Sequence, residues 1–349
     1  RDYFLASGVD RFVLCGMGGS SLAPEVITRT ANVELVVLDS TNADQVGSAL
    51  AGDLSRTAII VSSKSGSTVE TDSQKRVFEK AFTDAGIDKT DRIVVVTDPG
   101  SPMEAAAKVD GYRVFNADAT VGGRYSALTA FGLVPSGLAG ADIQALLDSA
   151  KSVASLLAED SEANPALILG AALGATPGEY GIRDKIGIVA EGTSIVGFGD
   201  WAEQLIAEST GKLSKGVLPI VLNAQSAELT NGLADFLAVR VVEDATSARG
   251  DEVVVSGELG AQFMLWEYAT VIASRLIGIN PFDQPDVESA KIAARAMLEQ
   301  RDEIVAPLFE EAGIEVRSSG LGMASVESVE AALSALLKQI DSDDGYLSI

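Results

Sequence analysis

Arg11-Phe12-Val13-Leu14-Cys15, running into Gly16-Met17-Gly18-Gly19-Ser20-Ser21, decides how the chain is read. A continuous apolar run ends in a glycine-serine turn, and a helix-periodic segment from about Leu22 to Thr30 follows. That order predicts a strand, a tight turn and a helix whose first N–H groups face the turn. The same alternation continues outward. Val33 to Leu38, Thr57 to Val61, Arg92 to Thr97 and Tyr112 to Phe115 read as strands, with a helix over Val69 to Ala85. Apolar strands separated by helices imply a parallel sheet covered on both faces. Ile143 to Leu157 reads as a helix, and Glu159-Asp160-Ser161-Glu162 before Asn164-Pro165 as a linker. Alternation then resumes. Strands are predicted at Lys185 to Ala190, Val217 to Leu222 and Phe236 to Val242, and helices at Ile195 to Thr210, Ala261 to Leu276 and Val287 to Gln300. The fold expected is α/β, with two αβα sandwich domains of mainly parallel sheets, residues 1–150 and 151–349. Arg301 to Ile349 reads as one more strand–helix unit.

Composition narrows the function. Of 349 residues, 50 are acidic and 26 basic, for a net charge of −24. Phosphate-backbone binding needs a basic footprint and anionic membranes attract basic segments, so neither nucleic acid nor a membrane is an expected partner. Cys15 is the only cysteine, which excludes a disulfide framework and fits a reducing, cytoplasmic setting. No histidine is present, so proton transfer falls to carboxylate, lysine or tyrosine. The most apolar run, Ala166 to Ala175, is far shorter than the ~20 residues a membrane span requires. Arg1 in place of a methionine, and the polar run Asp341-Ser342-Asp343-Asp344-Gly345 near the end, lead us to expect a piece of a longer protein.

Five segments carry chemistry. Gly16 to Ser21 lets backbone approach a ligand at a helix start, but Ser21 occupies the third glycine position of a dinucleotide fingerprint, although Asp39 ends the next strand. Ser62-Ser63-Lys64-Ser65-Gly66-Ser67-Thr68 brings five hydroxyls and a lysine to another helix start. A cap needs one hydroxyl, and the Walker order is absent, so phosphate binding is favoured over capping alone. In Val121-Gly122-Gly123-Arg124-Tyr125-Ser126, two glycines precede an arginine, which suits an enediolate or a second phosphate contact and also fits a surface turn. Gln204 and Glu208 share one helix face within Glu203 to Lys212, where a solvated carboxylate is the ordinary occupant. Gln284 and Lys291 lie two turns apart in Gly278 to Lys291, with Pro285 near a helix start.

Taken in order from Gly16 to Lys291, these segments resemble the phosphoglucose isomerase family of the sugar isomerase (SIS) superfamily. The chain also resembles the isomerase part of bacterial chains that fuse transaldolase to such a segment. The resemblance implies two SIS-type, Rossmann-like domains, 1–150 binding sugar phosphate and 151–349 carrying the catalytic glutamate and the C-terminal signature. It implies interconversion of glucose 6-phosphate and fructose 6-phosphate through a cis-enediolate, in glycolysis and gluconeogenesis. Glu208 would be the base, Arg124 would offset enediolate charge beside Gly123, and Lys291 would assist ring opening. Gly19 and Ser20 would contact sugar. Ser63, Lys64, Ser65 and Thr68 would hold the phosphate, with Gln204 a further phosphate contact, and Gln284 would belong to the C-terminal signature. No metal or organic cofactor is implied, and a cytoplasmic homodimer is. Two departures stand out: Asp286-Val287-Glu288 replaces the family's Gly-Val-Glu, and the family's ring-opening histidine is absent. The alternatives are a dual phosphoglucose/phosphomannose isomerase, a non-catalytic sugar-phosphate sensor on this fold, and a Rossmann oxidoreductase.

Overall fold

Along β1 (Arg11–Gly16), Val13 and Cys15 face one way and Phe12 and Leu14 the other, and all four are buried. This follows from the two-residue period of a strand with both faces covered. In the computed structural model, one face packs on Phe78 and Phe82 of α4 (Val69–Asp84) and Met103 of α5 (Pro102–Val109). The other packs on Phe4 of α1 (Asp2–Ala6) and Phe131 of α6 (Ala130–Ala139). Fully burying a side chain such as Phe78 or Leu14 stabilises by about 1.5–3 kcal/mol each. The structure describes residues 1–174, 177–178, 181–245, 250–299, 305–318, 326–341 and 345. The chain forms two compact units, Arg1–Pro285 and Asp286–Ile349.

The first unit holds two parallel sheets. The first runs β2 (Val36–Leu38), β1, β3 (Thr57–Ser62), β4 (Ile93–Thr97), β5 (Arg113–Asn116). Chain order reverses between β1 and β3, and the register sets Gly16 beside Ser62 at their carboxyl ends. Loops at such a reversal flank the crevice where open α/β sheets take ligands. Here they are the Gly18–Ser20 turn leading into α2 (Leu22–Thr30) and the Ser63–Thr68 segment leading into α4.

The second sheet runs β11 (Glu252–Ser256), β10 (Phe236–Val242), β8 (Lys185–Ala190), β9 (Leu218–Leu222), all parallel. A short antiparallel pair, β6 (Pro177–Gly178) and β7 (Gly181–Ile182), precedes it. Its helices are α7 (Ile143–Leu157), α8 (Pro165–Leu173), α9 (Phe198–Thr210) and α10 (Leu259–Ile277). Asn164 caps α8 and Pro165 opens it, so the acidic turn before them joins α7 to α8 within the unit. Ile186 and Ile188 share a core with Trp201, Leu205, Phe263 and Trp266, and the Trp201 and Phe263 rings meet edge-on at 4.6 Å.

Several elements differ from the sequence reading. β2 begins at Val36 rather than Val33, because Val33 closes a turn on Thr28. α9 begins at Phe198, since Gly197 at φ +76° ends the preceding loop. Helices α3 (Ala43–Leu50), α5, α6 and α8 and strand β11 were not anticipated. In the second unit, α11 (Pro285–Glu299) precedes an antiparallel hairpin, β12 (Phe309–Glu311) and β13 (Ile314–Val316), and then α12 (Val329–Leu337). A hairpin thus stands where one strand was expected. Gln300, Arg301, Ile349 and the middle of the 341–345 polar run lie outside the described residues. No helix among the described residues is long and apolar enough to cross a membrane.

Candidate active site

On α9, the buried stripe Phe198, Trp201, Ala202, Leu205, Ile206, Ser209 follows helical spacing and fixes the helix against the core. Gln204 and Glu208 sit beside that stripe, one turn apart. Gln204 Nε2 donates to Glu208 Oε1 at 2.9 Å. Gln284 Nε2 donates to Glu208 Oε2, also at 2.9 Å, across 76 positions of sequence. Both carboxylate oxygens therefore accept a hydrogen bond. The side chain remains 36% exposed.

Arg124 lies on the single turn Gly123–Tyr125 and is 3% exposed. Its Nε donates to Ser209 Oγ at 2.9 Å. Its NH2 donates to the backbone oxygens of Pro281 and, at 3.3 Å, Asp283. NH1 stands 3.6 Å from Glu208 Oε2. Guanidinium has five N–H donors, so three of its contacts lock the group while NH1 points at the carboxylate's neighbourhood. Tyr125 shares Ser209 Oγ at 2.9 Å, and burial raises its phenol above the ordinary value.

Two glycines allow this assembly. A Cβ on Gly19 would lie 2.4 Å from the Gly123 carbonyl oxygen, so the turn after β1 and the Arg124 turn meet backbone to backbone. Gly18, at φ +55°, leaves room for Gln204 Nε2, which a Cβ would approach to 2.7 Å. Ser126 Oγ ties the two turns further, donating to Gly123 O at 2.6 Å and reaching Gly19 O at 3.4 Å. Ser20 lies in the turn itself.

Across the crevice, Ser63 Oγ and Thr68 Oγ1 are 3.0 Å apart, and Ser65 Oγ and Ser67 Oγ 3.1 Å. Thr68 is the N-cap of α4 but makes no side-chain cap bond, so the loop's hydroxyls are not consumed in capping. Lys64 turns aside: its Nζ rests 2.5 Å from Asp98 Oδ2 and 3.3 Å from Ala119 O. Gln204, expected to contact phosphate, has its Nε2 on Glu208 Oε1 and its own Oε1 buried with no hydrogen-bond partner among the described residues. Lys291 lies on α11 with its side chain outside the described residues, so the first unit gathers Gly19, Gly123, Arg124, Gln204, Glu208 and Gln284 without it.

Sequence reading missed three groups. Lys212, just past α9, is 4% exposed with its ammonium on the Asn280–Asp283 loop. Its place behind Gly211 was the available signal, since a lysine there can turn back under the helix end. Ser209 joins Arg124 to Tyr125. Glu267 on α10 has its Oε1 sealed from solvent with no hydrogen-bond partner among the described residues, and burial pushes its carboxyl up to about 8.

Two parallel sheets, with a carboxylate and an arginine beside glycine turns, make a SIS-type α/β fold. A putatively named phosphosugar isomerase of Clostridium difficile shares that fold at TM-score 0.54 over 84% of this chain and 97% of its own, at 12% identity. The family model described as Phosphoglucose isomerase matches residues 5–235, and the chain belongs to that family. It is 36% identical to a probable glucose-6-phosphate isomerase of Haloarcula marismortui, covering 59% of this chain and 48% of the relative. With a glucose-6-phosphate isomerase of a Synechococcus species it shares 28% identity over 88% of this chain and 70% of the relative. The chain thus spans about half the length of the first relative. A hypothetical protein of Thermus thermophilus matches at TM-score 0.74 and 25% identity, covering 86% of each chain. A glucose-6-phosphate isomerase of Chlamydia trachomatis matches at TM-score 0.74 and 18% identity, over 85% of this chain and 72% of that one.

Proposed function

We propose that this chain interconverts glucose 6-phosphate and fructose 6-phosphate. The observation that carries the reading is the Glu208 carboxylate, gripped by two amides with an arginine N–H 3.6 Å away. The substrate's phosphate binds the Ser63–Thr68 loop and the uncapped start of α4. That anchoring positions the distant C1–C2 unit for proton transfer. Glu208 takes the C2 proton of the open-chain aldose, and the C–H electron pair forms the C1–C2 double bond. Negative charge gathers on O1, and NH1 of Arg124 offsets it; the other Arg124 contacts stay on protein, so the group need not reorganise. A proton passes from O2 to O1, and Glu208 returns its proton to C1, giving the ketose.

Gly19 and Ser20 contact sugar in this reading. Lys64 lends its charge to the phosphate loop from its seat on Asp98. Gln204 acts through Glu208, and Lys291 assists ring opening. The division into residues 1–150 for phosphate and 151–349 for the base, a homodimer, a cytoplasmic setting and a glycolytic role belong to the same proposal, on the strength of the family. A sensor reading is not favoured, because a sensor has no use for a base and an arginine held this way. Glu208→Gln tests the proposal: the amide keeps the shape and loses basicity. Solvent exchange of the C1 and C2 protons, followed by NMR, should vanish while fructose 6-phosphate still binds by calorimetry. Exchange at the wild-type rate would remove Glu208 from its role.

A further inference from the structure

The Asn280–Asp283 loop is held by cations on its backbone. Lys212 Nζ donates to Asn280 O at 2.9 Å, to Asp283 O at 2.5 Å and to Asp283 Oδ1 at 2.9 Å. Arg124 NH2 donates to the carbonyls of Pro281 and Asp283. An ammonium has three N–H donors, and all of Lys212's are placed on this loop. A charge this deeply buried is tolerated when it is so completely paired, and leaving it half-paired is strongly unfavourable. The loop's side chains gain little from burial themselves: Phe282, Asp283 and Gln284 are all exposed. Phe282 rests on the Tyr125 ring at 5.4 Å, and Asn280 Oδ1 accepts from Phe282 N at 3.1 Å. The product of this bracing is one contact, Gln284 on Glu208 Oε2.

Lys212 is four positions beyond Glu208. The base and the clamp therefore leave the same end of α9, and the loop they share returns to the base through Gln284. We infer that Lys212 is a positioning residue: its ammonium sets the Asn280–Asp283 backbone so that Gln284 orients the Glu208 carboxylate. Without it, Arg124 and the Phe282–Tyr125 contact would be left to hold the loop, and Gln284 would sample positions off the carboxylate. The kinetic arm of this inference rests on the isomerase reading; the structural arm does not.

The experiment compares wild type, Lys212→Met, Gln284→Ala and the double variant. Hydrogen exchange should speed up at 280–284 in Lys212→Met, with α2 and α4 unchanged. For exchange of the C1 proton of fructose 6-phosphate and of the C2 proton of glucose 6-phosphate, Lys212→Met should lower kcat by roughly tenfold with KM little changed, as expected for coupled neighbours. In the Gln284→Ala background the same change should cost almost nothing further, because its target is gone. A merely structural lysine would give effects that multiply. Asp283→Asn removes one acceptor charge and leaves both carbonyls. It should raise exchange at 280–284 by less, and it decides the structural arm if Lys212→Met does not fold. Unchanged exchange at 280–284 in the folded variants, or multiplying kinetic effects, would overturn the inference. If wild type moves no proton, the isomerase reading falls and the hydrogen-exchange arm still judges the clamp.

Discussion

Replacing Glu267 by glutamine should stabilise the protein in alkali and change little in acid. In the folded chain burial pushes this carboxyl up to about 8, against an ordinary 4.5. Between those values the folded protein holds a proton that the unfolded chain has lost. Stability therefore falls as pH rises across that window and levels off above it. The gap sets a ceiling of about 5 kcal/mol, at about 1.36 kcal/mol per pH unit. Glutamine has the shape of the protonated acid and does not titrate, so the variant escapes the slope. Glu203, pushed up by burial and by neighbouring Asp200, titrates in both proteins and cancels in the comparison. Urea unfolding followed by tryptophan fluorescence suits the test, because Trp201 and Trp266 are both buried in the first unit. Between about pH 6 and about pH 8 the variant should gain roughly 2–3 kcal/mol on wild type. If the two proteins tracked each other across that range, Glu267 would be charged or solvated in the folded chain, and the argument from its sealed oxygen would be wrong.

Ser65→Ala and Thr68→Ala should each weaken fructose 6-phosphate binding by about 0.5–3 kcal/mol, the range for a hydrogen bond to a charged group; unchanged calorimetric affinity in the double variant would remove the loop from phosphate binding. Gly19→Ala must push the Gly123 carbonyl, which a Cβ would meet at 2.4 Å. Such overpacking should cost about 1–3 kcal/mol in urea unfolding, with isomerisation impaired further because the shift moves Arg124; an alanine variant of wild-type stability and rate would contradict the close approach. With no histidine in the chain, added imidazole should speed turnover of cyclic glucose 6-phosphate and leave the C2 proton exchange of open-chain substrate unaffected. Equal effects of imidazole on both steps would show that ring opening has no separate acid requirement here.

Where local pattern and tertiary packing agree, the sequence was legible. Helices α2 and α7 and strands β8 and β10 fall on the residues their periodicity predicts. Helix α6 was hidden because Gly132, Pro135 and Gly137 punctuate it, yet Phe131, Val134 and Leu138 pack on the first sheet's core and hold it. Strand β11 has the β-branched run Val253-Val254-Val255 but is short and flanked by acids, so only its pairing with β10 reveals it. At the site, Gly19, Arg124, Glu208 and Gln284 were singled out by the family resemblance of their segments, and the first unit brings them together. Lys212 and Glu267 were not, because on the page they are a charged residue past a helix end and another within one. What distinguishes them is the packing of α9 and α10, which buries titratable groups that a sequence pattern assigns to solvent.

The seam between the two compact units falls at Pro285, one residue beyond Gln284. Glu208, its two amide partners and Arg124 thus stand upstream of the seam, and Lys291 downstream of it. The proposed base and the lysine that the family resemblance assigns to ring opening therefore fall in different compact units of one polypeptide. Under the proposed function, substitutions aimed at the proton transfer and those aimed at ring opening would thus be made in different units of the chain.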